Sequence, residues 1–301
     1  MGAERAAIRV RRSSEVKRTL SAQFLFRELF EAAVKFSDAD FIKFQQSSLR
    51  ELLPGFDPQV LSVSVQEISP DGTLVSAECF RSVNIDPSAF LLYREVHDTD
   101  DVFPHSWSNP GTAVFNTDFR SLEQWKDTRL FQEFKSPLGL YHAALLTYRL
   151  PFATQKFLKF VYDSGAGQPF CDKVTKDEIE YVTTPFMYAW LFKLGYMDEA
   201  AFRQVLQLLT GLSPVQLFLL RELVNIPVYQ NSSVAQKFRI SGRVVNNYFA
   251  NIYGQIAHLL PERPSSQSRA APLVDLVRHY SFLSLAGAPL IAQSAGLDKP
   301  V

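Results

Sequence analysis

The stretch VLSVSVQEIS at 60–69 constrains the fold more than any other part of the chain. Leu61, Val63 and Val65 recur at every second position, which is the period of a strand. Ser69-Pro70-Asp71-Gly72 follows as a turn signal, and TLVSAECF at 73–80 supplies a second strand, so a β-hairpin is predicted here. On either side the period is helical. Phe26, Phe30, Ala33 and Val34 share a helical spacing within 20–36, with Thr19 or Ser21 as cap. A second helix is predicted over Ala39–Leu53, stopped by Pro54-Gly55. A chain that changes period in this way makes a mixed fold, with a sheet and helices packed on it.

Further along, Asp86 and Pro87 open a helix over 86–97, as N-cap and first helical residue. DTDDVFPHSWSNPG at 98–111 reads as a loop and Thr112–Phe115 as a short apolar stretch. Residues 121–139 read as a helix and then a turn. LYHAALLTYRL at 140–150 and QKFLKFVYDSG at 155–165 read as two central strands. Thr175 with Glu178 forms a capping box ahead of a long helix, inside which Pro185 predicts a kink or a break. DEAAFRQVLQLL continues to Thr210-Gly211 as an amphipathic helix.

From residue 213 the pattern is all helical. Ser213-Pro214 starts one helix, Ser232 or Ser233 caps a second, and Ser241 caps a third whose Val244, Tyr248, Ile252 and Ile256 share a face. Pro261, Pro264 and SSQS mark a linker, and Leu273–Leu285 is either a docking helix or a helix folded back on the same chain. The net charge of zero hides an asymmetry. Arg5, Arg9, Arg11, Arg12, Lys17 and Arg18 against Glu4 and Glu15 make the first twenty residues about +4. Arg221, Lys237, Arg239 and Arg243 against Glu222 make 213–260 about +3, so the centre is negative. Positive ends suit a nucleic-acid binder, while two solvated faces and a basic arm explain the same numbers.

Other chemistry is sparse. Cys79 and Cys171 are the only cysteines, too few for a disulfide framework, which fits a reducing cytoplasm. No apolar run reaches the roughly 20 residues of a membrane helix, and the basic N-terminus has no apolar signal core. His97, Asp98, Asp100, Asp101 and His105 cluster in one segment, where a polar loop explains them better than a metal site. Gly165-Ala166-Gly167 fits a turn, and Glu178 and Glu180 are badly spaced for paired acid–base work on a helix. Trp125, Phe134, Tyr141, His142 and Tyr148 either line an internal pocket or pack as core. No cofactor, metal or enzymatic activity is expected.

Two segments resemble known families. Leu212-Ser213-Pro214, Val234-Ala235, Phe238, Ile240-Ser241, Val245, Ile252-Tyr253 and Ile256 fall in the register of the LuxR/NarL-type helix-turn-helix domain. Gln216 stands where that family carries an acidic residue, and the connection NIPVYQNS is longer than usual. Pro110-Gly111-Thr112, Asp118, Trp125, Phe134 and Pro137-Leu138-Gly139 resemble the GAF- or PAS-like sensory region that precedes such domains in some bacterial regulators. The resemblances imply an α+β chain with a basic arm at 1–19, a GAF/PAS-like α/β sensory or dimerisation domain at 20–200 and a connecting helix at 201–211. An all-α LuxR-like domain at 212–260 and a linker and tail at 261–301 complete it. They imply a transcriptional regulator that binds double-stranded DNA as a homodimer, with a small-molecule effector in the N-terminal domain. Arg243, Asn246 and Asn247 would reach base edges, Lys237 and Arg239 would lie on phosphates, and Ser241 completes the DNA-binding set. The third helix is poor in Lys and Arg. This leaves open a non-DNA-binding protein that modulates a partner regulator.

Overall fold

The computed structural model describes residues 24–86, 88–96, 102–108, 110–150, 155–167, 169, 174–211, 235–236 and 241–256. The basic arm, Leu212 to Val234, Lys237 to Ile240, Cys171 and the tail with Leu273–Leu285 lie outside them. The chain parts into two compact units between Met197 and Asp198.

The first unit is built on a five-stranded antiparallel sheet. Its strands are β1 (Val60–Ile68), β2 (Leu74–Val83), β3 (Val114–Phe115), β4 (His142–Arg149) and β5 (Lys156–Ser164), in the order β2-β1-β5-β4-β3. The predicted hairpin is present. The Gly72 N–H donates to Ser69 O at 2.9 Å, Gly72 takes φ 89°, and the Thr73 N–H donates to the Asp71 carboxylate at 3.1 Å. β1 and β5 pair from Val60 opposite Asp163 to Glu67 opposite Lys156.

One face of the sheet is covered by α1 (Phe30–Lys35, after a π-helical turn at Phe24–Leu29), α2 (Asp38–Leu52) and α6 (Lys176–Lys193). The layer between is aromatic: Phe41 meets Trp190 at 5.2 Å and Phe56 meets Tyr162 at 5.2 Å between ring centres. Its polar atoms pair across elements. Trp190 Nε1 donates to Gln45 Oε1 at 2.7 Å, and the Tyr162 and Thr183 hydroxyls lie 2.9 Å apart. Burial pushes the Tyr148 and Tyr162 phenols above their ordinary range, with Thr184 and Thr183 partly opposing it.

The opposite face is roofed by α3 (Ala89–Val96), α4 (Val102–Ser108), α5 (Leu122–Lys126) and a π-helical turn at Phe131–Lys135, which runs into a 3-10 turn at Ser136–Leu138. Gly139 ends that turn at φ 69°, a left-handed conformation open to glycine at little cost.

Several expectations are corrected. Residues 102–108 are helix, not loop. Pro104 falls in the first turn, where its missing N–H breaks no bond, and Val102, Phe103 and Ser106 bury one side. Pro185 does not break α6. Phe186, Met187, Tyr188, Ala189, Trp190 and Leu191 are all fully buried beyond it, and packing on that scale outweighs one lost hydrogen bond. Residues 121–139 are not one helix but three short helical pieces. In the first helix Leu29, Ala32 and Ala33 face inward while Val34 is exposed, because the preceding π-turn shifts the phase. The capping box of Thr175 and Glu178 is present as expected.

In the second unit, α7 (Glu199–Gly211) buries Phe202, Val205, Leu206 and Leu208. α8 (Gly242–Ile256) follows Ser241, whose hydroxyl accepts the Val244 N–H at 3.3 Å. The buried face of α8 is Val245, Phe249 and Ile252, one step round from the expected Val244, Tyr248 and Ile252.

Candidate functional site

Two places carry chemistry, one in each unit. In the first, the sheet and its helical roof do not close on each other. Between them lies a cavity of about 620 Å³, the space at its mouth included. Its floor comes from alternate positions on the central strands: Ser62, Ser64 and Gln66 on β1, Lys159, Val161 and Asp163 on β5. Ala143 and Leu145 on β4 extend it. Residues two apart on a strand share a face, so the polar side of β1 becomes a buried surface once the roof is in place. Tyr93, Val102, Trp125, Leu130 and Phe134 supply the roof. Apolar walls with a few convergent polar side chains are the lining of a small-molecule site.

Lys135 sits at the end of the π-helical turn and places its ammonium 2.7 Å from both carboxylate oxygens of Asp163. Both side chains are nearly sealed from solvent, so the two charges neutralise each other inside the wall. Lys159 donates to the Tyr93 hydroxyl at 2.9 Å and stands 3.9 Å from the centre of the Phe103 ring. Asn116 closes the cavity on the β3–β4 side, its Oδ1 accepting the Ala143 N–H at 3.0 Å and its Nδ2 donating to Tyr141 O at 3.0 Å. Two polar atoms are left over. Trp125 Nε1 and Gln66 Oε1 are buried with no hydrogen-bond partner among the described residues.

Of the five residues considered for a pocket, Trp125 and Phe134 line it. Tyr141 packs beside it, its ring 5.2 Å from Phe131. His142 and Tyr148 occupy the other set of positions on β4 and face the aromatic layer. Ser62, Ser64, Gln66, Lys135, Lys159 and Asp163 were not predicted. The signal lay in Lys159 and Asp163, charged residues inside a strand flanked on both sides by strands.

Glu178 caps α6, and Glu180 accepts the Ala113 N–H at 2.8 Å, so both have structural roles. His105 is exposed and stacks on Phe119 at 3.7 Å, while His97, Asp98, Asp100 and Asp101 lie outside the described residues. Cys79 lies on β2. Among the described residues no His, Cys, Asp or Glu group is placed to hold a metal ion, and no helix is long and apolar enough to cross a membrane.

In the second unit, α8 turns Arg243, Asn246, Asn247 and Asn251 to solvent, away from Val245, Phe249 and Ile252. Ser241 is exposed at the start of the helix, and Arg243 is the only charged residue along it. Lys237 and Arg239 lie outside the described residues. Asn251 was missed by sequence reasoning, although its spacing of four from Asn247 places it on the same side.

No protein-family model and no curated protein matches the chain. Among solved structures, SdiA of Escherichia coli in space group P6522 matches at 13% identity over 89% of this chain and 95% of that one, with a TM-score of 0.36. SdiA in complex with octanoyl-rac-glycerol matches at 16% identity over 77% of this chain and 87% of that one, with a TM-score of 0.39. Likeness at that level does not establish a common backbone.

Proposed function

We propose that this chain is a DNA-binding transcriptional regulator. In this reading α8 enters the major groove and the hollow side of the N-terminal sheet holds a small-molecule effector. The observation that carries it is the outward presentation of Arg243, Asn246 and Asn247 on a helix anchored by Val245, Phe249 and Ile252. Arg pairs with the O6 and N7 of guanine and Asn with the N6 and N7 of adenine, so these side chains can read base edges. The resemblance of 212–260 to LuxR-type domains supports the same assignment. So does the antiparallel sheet between two helical layers, which suits a GAF- or PAS-like sensory domain. One arginine supplies little phosphate attraction. Lys237, Arg239 and the basic arm would add to it, and a homodimer would double it. The effector acts by favouring one arrangement of the two units over another.

The test begins with duplexes selected from a random library by the full chain, then titrated by fluorescence anisotropy. A preferred sequence should emerge, and Arg243→Ala should weaken its binding by about 1–3 kcal/mol. Selected and random duplexes binding alike, or no change on substituting Arg243, Asn246 and Asn247 together, refutes the assignment. A second reading, a partner-modulating protein that does not bind DNA, is favoured by the single positive charge on α8 and by Val244, 38% exposed beside it. It predicts that Val244→Asp disrupts a protein complex and that neither the parent chain nor the variant selects a duplex sequence.

A further inference from the structure

The outward side of α8 holds more than Arg243 and its two neighbouring asparagines. At about 100° per residue, positions four apart drift by about 40° round a helix. Arg243, Asn247 and Asn251 therefore form one exposed row, and Asn247 stands almost opposite the buried Val245, Phe249 and Ile252. Asn246 lies about 100° round from Asn247, at the flank of that row. Arg243 carries the row's only charge. Two small residues, Ala250 and Gly254, share the same side. Gly254 is exposed within the helix, where glycine is unfavourable. Its φ is not positive, and a Cβ built on it would meet nothing within 4 Å, so neither the backbone nor the packing asks for glycine. A glycine that the fold does not need, on an exposed face, leaves room for another surface to approach closely.

We infer that Asn251 is a specificity-determining residue, and that the row reads a half-site of one G·C pair followed by two A·T pairs. This rests on the DNA-reading assignment of α8. Arg243 takes the O6 and N7 of guanine, and Asn247 and Asn251 each take the N6 and N7 of an adenine. Four residues of helix rise about 6 Å, close to two base-pair steps of about 3.4 Å, so the three pairs fall about two positions apart. Gly254 lets its part of α8 lie close to the duplex, where a side chain would hold it off. Asn246, at the flank, adds no base preference. Because asparagine carries no charge, the preference for A·T is independent of salt, while overall affinity falls as salt rises.

The full chain selects duplexes from a random library, and the winners are titrated by fluorescence anisotropy at two salt concentrations. A G·C pair should recur with A·T pairs about two and four positions beyond it. Replacing the farther A·T pair by G·C should weaken binding about tenfold, by the same factor at both salts. Asn251→Ala should abolish that factor and keep the preferences at the other two positions. Asn246→Ala should keep all three. Replacing the farther adenine by 7-deazaadenine, which lacks N7, should weaken binding by the parent chain and not by Asn251→Ala. Gly254→Ala should raise the melting temperature and weaken all duplexes alike. Alanine favours helix at each of these exposed positions, so a lost preference is not a lost fold. No A·T preference at the farther position, a preference that survives Asn251→Ala, or Gly254→Ala binding as tightly as the parent overturns the inference. Where the full chain selects no sequence at all, the DNA-reading assignment itself fails. Where it selects one that Asn251 does not affect, only this inference fails.

Discussion

The two faces of the sheet are made by the same three central strands, yet one is closed and the other hollow. On the closed face, Leu61, Val63, Leu158, Phe160, Leu146 and Tyr148 meet α2 and α6 in a layer of interlocking rings. On the hollow face the same strands present Ser62, Ser64, Gln66, Lys159 and Asp163 to short, irregular helices. Long apolar helices can fill every gap above a sheet. A roof of short helices and a π-turn cannot, and the polar floor beneath keeps it from collapsing. The closed side therefore acts as filled core, while the other acts as the wall of a cavity and keeps an apolar cluster of its own around Trp125, Phe131 and Phe134.

Substitutions on each side should separate these roles. Phe160→Ala on the closed face should cost about 4 kcal/mol in urea denaturation, since no neighbour can move in to fill the space. A loss under about 1 kcal/mol would mean that this face is loosely packed too. Lys135→Met on the hollow face should cost about 3 kcal/mol, because it strands the Asp163 carboxylate, and adding Asp163→Leu should restore most of it. Tyr162→Phe should cost about 1 kcal/mol through the lost bond with Thr183. Gln66→Leu should change stability least, within about 0.5 kcal/mol or toward a gain, because it removes an acceptor that has no partner. A large loss there would show that Gln66 has a structural role.

The sequence carried the closed face well and the hollow face poorly, for a physical reason. Alternation at Leu61, Val63 and Val65 marked β1, and Ser69–Gly72 marked its turn, because both are local signals. Whether Ser62, Ser64 and Gln66 face water or a second layer depends on chain distant in sequence, which no local period records. Helix α4 was hidden by Pro104 among polar neighbours, and the continuity of α6 through Pro185 depended on burial from all sides. For α8, the resemblance and the spacing put Arg243, Asn246 and Asn247 on the outside. The inward face was misplaced by one position, because Val244 and Val245 are equally apolar and only tertiary packing chooses between them.

The π-helical turn at Phe131–Lys135 also limits how this chain can vary. A π-turn holds one residue more than the α-helical turn it replaces, and Lys135 reaches Asp163 only because that residue is there. Deleting any one residue of the turn ahead of Lys135 would let it relax to ordinary helix and swing Lys135 by roughly 100° about the axis. The ammonium would leave its counter-ion, and the aromatic side chains of the roof would turn with it. Insertions and deletions in this segment should accordingly be far more damaging than substitutions.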